Sequence, residues 1–104
     1  MSARSEARQI ADEIAERIVT LPHHLHARPA GRVAQAAARH PDTTIELVAG
    51  DRRANARSVL AVMGLGAVTG TDVLVTAAGP DAATVVAGIC EILTAPENDG
   101  EPAG

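Results

Sequence analysis

Apolar positions recur along this chain at two different periods, and the switches between them mark out its elements. Residues 5–18 (SEARQIADEIAERI) place Ala7, Ile10, Ala11, Ile14 and Ile18 at helical spacing. Residues 17–21 (RIVTL) carry β-branched Val19 and Thr20 and predict a short strand, which Pro22 ends. Ala30, Val33, Ala34, Ala37 and Ala38 then follow i, i+3, i+4, i+7, i+8, with Arg28, Arg32, Gln35 and Arg39 elsewhere. This predicts an amphipathic helix ending near residues 40–42 (HPD).

Period two takes over in residues 43–49 (TTIELVA), with Ile45 and Leu47 on one face. Gly50-Asp51 is a hairpin-turn dipeptide, and residues 52–56 (RRANA) read as the returning strand. Ser58 is a good N-cap for a short helix over 59–63 (VLAVM), stopped by Gly64 and Gly66. A fourth strand is predicted over 71–77 (TDVLVTA) and is broken by Gly79-Pro80. Asp81 can cap a last helix carrying Val85, Val86, Ile89 and Leu93 on one side. Residues 95–104 (APENDGEPAG) read as a disordered tail. Two of the strands form a hairpin and the helices must cover one face of the sheet, so the fold class is a two-layer α+β sandwich.

Composition narrows the function classes. The chain has 104 residues and no Phe, Tyr or Trp, so its core is built from aliphatic side chains and base stacking is impossible. With a formal net charge of −4, a general nucleic-acid binder is not expected. No apolar stretch is long enough for a membrane span, residues 1–21 are too charged for a signal peptide, and Cys90 has no partner for an internal disulfide. The expectation is a cytoplasmic protein with Cys90 as a small core residue. Charge is also unevenly spread. Arg28, Arg32, Arg39, Arg52, Arg53 and Arg57 make the stretch 28–57 net positive, whereas residues 58–104 hold acids and no base. A basic middle on an acidic chain suits an anion or an acidic protein.

The chemistry concentrates in residues 25–30 (LHARPA). A helix starting just after His26 leaves the first backbone N–H groups, those of Ala27, Arg28 and Ala30, without intrahelical acceptors. Pro29 is tolerated in a first turn. Those amides and the helix dipole favour an anion beside the His26 ring, and Arg28 adds a guanidinium fork suited to phosphate oxygens. Imidazole, with an unperturbed pKa of about 6.5, is substantially neutral and nucleophilic near neutral pH. His26 is therefore the expected phosphoryl acceptor. Zinc would want about four ligands, and no Cys, Asp or Glu adjoins His23, His24 and His26 in sequence, so neither metal nor cofactor is expected. Val59, Leu60, Val62 and Met63 cannot all face the core of a thin domain, which makes Val59, Leu60 and Met63 a candidate docking patch.

Residues 25–30 and 54–82 (ANARSVLAVMGLGAVTGTDVLVTAAGPDA) closely resemble the histidine-containing phosphocarrier family HPr of the bacterial phosphoenolpyruvate-dependent phosphotransferase system. The resemblance covers about residues 17–93. It implies an open-faced sandwich, four antiparallel strands with three helices on one face, over a domain 17–94 preceded by an N-terminal extension, 1–16. It implies a carrier and not an enzyme, one that takes a phosphoryl group from enzyme I and passes it to IIA-type acceptors for carbohydrate uptake. By position, His26 matches the phosphorylated histidine, Arg28 the phosphate-stabilising arginine, and Ser58 the serine that a regulatory kinase modifies in some bacteria. Arg57 joins the docking residues, where the family usually has Lys. His23-His24 stand where the family usually has Asn or a small residue followed by Gly. A carrier for a dihydroxyacetone phosphotransferase system, or a regulatory binding protein of the same fold, are the alternative readings.

Overall fold

Strand β1 (Ile14–Thr20) begins earlier than the predicted 17–21 segment, and residues 14–18 are extended, not helical. The i, i+4 spacing of Ile14 and Ile18 fits both periods, because residues four apart also share one face of a strand. Pairing decides between them: β1 runs antiparallel to β4 (Asp72–Ala78) along its whole length, from Ile14 opposite Ala78 to Thr20 opposite Asp72. The computed structural model describes residues 13–96. The rest of the expected leading helix, up to residue 12, and residues 97–104 of the expected tail lie outside the described residues.

Helix α1 (Ala27–Ala38) buries Ala30, Val33 and Ala37, while Ala38, expected on that stripe, is exposed and Ala36 packs against the core in its stead. Strand β2 (Thr44–Ala49) turns Ile45, Leu47 and Ala49 inward and pairs with β3 (Arg52–Asn55), which contributes Ala54. Gly50 makes the connecting turn at φ +61°, a backbone region that costs glycine least. Helix α2 (Val59–Met63) buries Val62, and helix α3 (Ala82–Thr94) buries Ala82, Val85, Val86, Ile89, Cys90 and Leu93. Burial pushes the Cys90 thiol up in pKa, against a smaller lowering by Arg17, which suits an inert core residue.

The sheet order is β1-β4-β2-β3, antiparallel throughout, with α3 packed on β1 and β4, α1 beside α3, and α2 between α1 and β3. One aliphatic core, from Leu21 to Leu93, lies between the sheet and the helices. None of the described helices is long and apolar enough to cross a membrane.

Asp81 occupies the N-cap position of α3 but does not cap it. It sits in the left-handed region (φ 60°) with no side-chain cap hydrogen bond, and its own N–H donates to Glu13 Oε1 at 2.9 Å. The corner before it is tight. Thr43 is buried and donates its hydroxyl to the Pro80 carbonyl at 2.7 Å, tying the entry of β2 to the β4–α3 connection.

Candidate functional site

The segment that carries His26 is pinned at both ends. Leu21 N–H donates to the Thr71 carbonyl and Gly70 N–H to the Leu21 carbonyl, while Leu25 N–H donates to the Ala67 carbonyl. Leu21 and Leu25 are buried anchors, and the half-buried His26 ring follows directly as N-cap of α1. Its backbone is extended (φ −109°, ψ −168°), the ordinary geometry of a capping residue.

The cap is made by the ring. His26 Nδ1 accepts a hydrogen bond from the Arg28 backbone N–H at 3.3 Å. The Nδ1 lone pair that accepts this bond points at the start of the helix. The first turn of α1 contains no acidic residue, so no carboxylate competes there for the amides and the positive end of the dipole. The Ala30 amide is not part of the site as the sequence predicted: it donates to the His26 carbonyl at 3.1 Å, the first bond of the helix. Ala27 and Arg28 are left as the backbone donors at this end. Arg28 is exposed, and among the described residues no carboxylate pairs with its side chain.

A second ring belongs to this place. His24 stands against His26 with centroids 4.8 Å apart and planes tilted by 51°. The sequence held the signal, a histidine where the resembled family has glycine, but the contact depends on the bend between two buried leucines.

The basic stretch splits into two sorts of arginine. Arg52 Nη1 donates to the Gly64 carbonyl at 3.0 Å, and Arg53 Nη1 pairs with Glu46 Oε1 at 3.2 Å. Arg57, expected in the docking surface, is half-buried and its Nη2 donates to the carbonyls of His40 and Thr43. Its guanidinium holds the α1–β2 loop to the start of α2. Arg28 is the arginine placed at the helix end that also carries the His26 ring.

Ser58 caps α2, its Oγ accepting from Ala61 N–H at 3.0 Å. Replacing such a cap by alanine costs about 1 kcal/mol. On this helix Leu60 is 80% exposed and Met63 37%, whereas Val59 is half-buried against the core. Exposed Val68, an apolar residue in a glycine-rich loop with no periodic signal of its own, adjoins Ala67, the residue bonded to Leu25. Because α2 packs beside α1, exposed apolar side chains lie on the layer of the molecule that carries His26.

Comparison with known proteins agrees with this architecture. Residues 14–95 match the family described as PTS HPr component phosphorylation site. A phosphocarrier protein HPr of Treponema pallidum (strain Nichols) is 38% identical over 65 residues, covering 62% of this chain and 73% of its own. Among solved structures, a phosphocarrier protein HPr from Bacillus anthracis superposes with TM-score 0.71 at 26% identity, over 80% of this chain and 100% of its own. Crh, the catabolite repression HPr of Bacillus subtilis, gives TM-score 0.65 at 27% identity over 81% and 99%. A small open-faced sandwich of this kind is the fold of the phosphocarrier proteins to which the chain is similar. The chain belongs to the HPr phosphocarrier family of the phosphotransferase system.

Proposed function

We propose that this chain is a cytoplasmic phosphocarrier that accepts a phosphoryl group from enzyme I on His26 and hands it to IIA-type acceptors during carbohydrate uptake. The observation that supports this most directly is the bond between His26 Nδ1 and the Arg28 amide at the start of α1. In transfer, the Nδ1 lone pair forms a bond to phosphorus as the bond from phosphorus to the donor breaks. The Arg28 amide then exchanges the ring nitrogen for a phosphoryl oxygen. At 3.3 Å its bond to the ring is long, so little is lost in the exchange. The helix dipole and the Arg28 guanidinium stabilise the negative oxygens. The return step runs in reverse, and the chain turns over no substrate of its own. A dihydroxyacetone phosphotransferase system is served by the same chemistry. Incubation with phosphoenolpyruvate and enzyme I, followed by a panel of IIA-type acceptors, tests which acceptors drain the phosphate. If enzyme I leaves the chain unlabelled, the carrier reading fails.

Arg28→Ala is expected to leave the fold intact and slow transfer in both directions. A charge-assisted contact is worth about 1.5–3 kcal/mol, on the order of tenfold to a hundredfold in rate if it acts fully in the transition state. Rapid-quench measurement with labelled enzyme I reads this directly, and an unchanged rate would demote Arg28 to a surface charge.

Docking makes a separate demand. Leu60→Glu and Met63→Glu are expected to weaken binding to enzyme I while the circular dichroism spectrum stays that of the parent, because both side chains are exposed. Unfolding of either variant would show that the residue belongs to the core. A phosphate on Ser58, added by a serine kinase, would bring about −1.5 to −2 charges next to this patch. Ser58→Asp should accordingly accept phosphate more slowly than Ser58→Ala. Equal rates would leave Ser58 as a cap alone.

A further inference from the structure

Leu25 separates two histidines that the fold brings together. Pro22 and His23 form a bend, and the backbone at His26 is extended. Leu25 turns into the core, while His24 is exposed and His26 half-buried. Side chains two apart on extended backbone share a side, so His24 and His26 both face outward. The Leu25 N–H, bonded to the Ala67 carbonyl at 3.0 Å, fixes the residue between them. The rings end up with centroids 4.8 Å apart and planes at 51°. That separation is at the close end of the range for interacting rings, about 4.5–7 Å.

Phosphoryl transfer to Nδ1 is served while that nitrogen faces the Ala27 and Arg28 amides, yet an imidazole can turn about two side-chain bonds. The Arg28 amide restrains it weakly, because 3.3 Å is beyond the usual range of about 2.7–3.2 Å. This bond also opens as the amide passes to a phosphoryl oxygen. The His24 ring lies against the His26 ring itself, so its contact does not depend on that bond. We propose, on the reading of His26 as phosphoryl acceptor, that His24 is a positioning residue whose ring keeps His26 Nδ1 aimed at the start of α1 before and during transfer. The role asks for the ring of His24 and not for its nitrogens or its charge.

Three full-length chains, the parent, His24→Ala and His24→Phe, test this. His24 is exposed, so both variants are expected to fold as the parent does, with circular dichroism as the check. Transfer from phosphorylated enzyme I is measured over a range of chain concentrations. In His24→Ala the saturating rate should fall about twofold to tenfold, the factor a ring pair supplies, with the half-saturating concentration unchanged. His24→Phe should restore the parent rate. Without enzyme I, the Hα–Hβ couplings of His26 should report one side-chain rotamer in the parent and His24→Phe, and averaging in His24→Ala. Equal saturating rates, or equal couplings, in the parent and His24→Ala would overturn the proposal. So would His24→Phe as slow as His24→Ala, which would make a ring nitrogen the group required. A change confined to the half-saturating concentration would also overturn it and make His24 a docking residue. A parent chain that enzyme I leaves unlabelled defeats the carrier reading instead, and the couplings then decide the placing of the ring by themselves.

Discussion

A chain with His26→Ala is expected to fold as the parent does and to take up no phosphoryl group from enzyme I. Losing the ring removes one cap bond from α1, which costs about 1 kcal/mol. Leu25 and Ala30 remain buried on either side and hold the segment in place. The chemical loss is total, because no other group here combines a ring nitrogen with a helix N-terminus. His23 and His24 precede the helix, and His40 follows its far end, with its carbonyl taken by Arg57. Labelling with phosphoenolpyruvate and enzyme I separates the cases: uptake by His26→Ala equal to that of the parent would place the chemistry on another histidine.

The largest effect on stability is expected at Gly79. Its φ is +134°, and a Cβ there would lie 2.7 Å from the Asp42 carbonyl oxygen and 2.9 Å from Thr43 Cα. Both obstacles are backbone, so no flexible side chain can move aside. Strained φ and close approach together put Gly79→Ala at about 3 kcal/mol or more, on the order of 15 °C in melting temperature for a domain of this size. Gly50, at φ +61° with nothing within 4 Å of a built Cβ, is the control. Gly50→Asn should cost far less, since asparagine tolerates the left-handed region. Urea unfolding of both variants decides the point, and a Gly79→Ala within 1 kcal/mol of the parent would remove the tight corner from the account.

Much of this was legible in the sequence wherever one physical signal dominated. The Gly50 turn, the Ser58 cap and the short α2 helix each rest on local chemistry, and the structure has them at the expected residues, while the α1 stripe holds at Ala30, Val33 and Ala37 but not at Ala34 and Ala38. His26 was equally legible as the residue at a helix threshold. The count of four antiparallel strands came from family resemblance, and the order β1-β4-β2-β3 was not legible, since periodicity says which face is buried but not which strand is the neighbour. Three features were hidden because they depend on distant partners. Ile14 and Ile18 have a spacing that serves both helix and strand, and only β4 decides between them. Asp81 has the chemistry of a cap, yet the Pro80 corner turns it left-handed and Glu13 takes its amide. Arg57 reads as a surface cation until the His40 and Thr43 carbonyls are brought to it.

The central claim is that Nδ1 of His26 carries the phosphoryl group, and phosphorus and nitrogen NMR of the parent chain after incubation with phosphoenolpyruvate and enzyme I tests it most directly. One acid-labile phosphoryl group is expected, with phosphorus coupled to His26 Nδ1 and a shift of the Arg28 amide as it leaves the ring for a phosphoryl oxygen. Phosphorus on another residue, or on His26 Nε2 with the Arg28 amide unmoved, would contradict it.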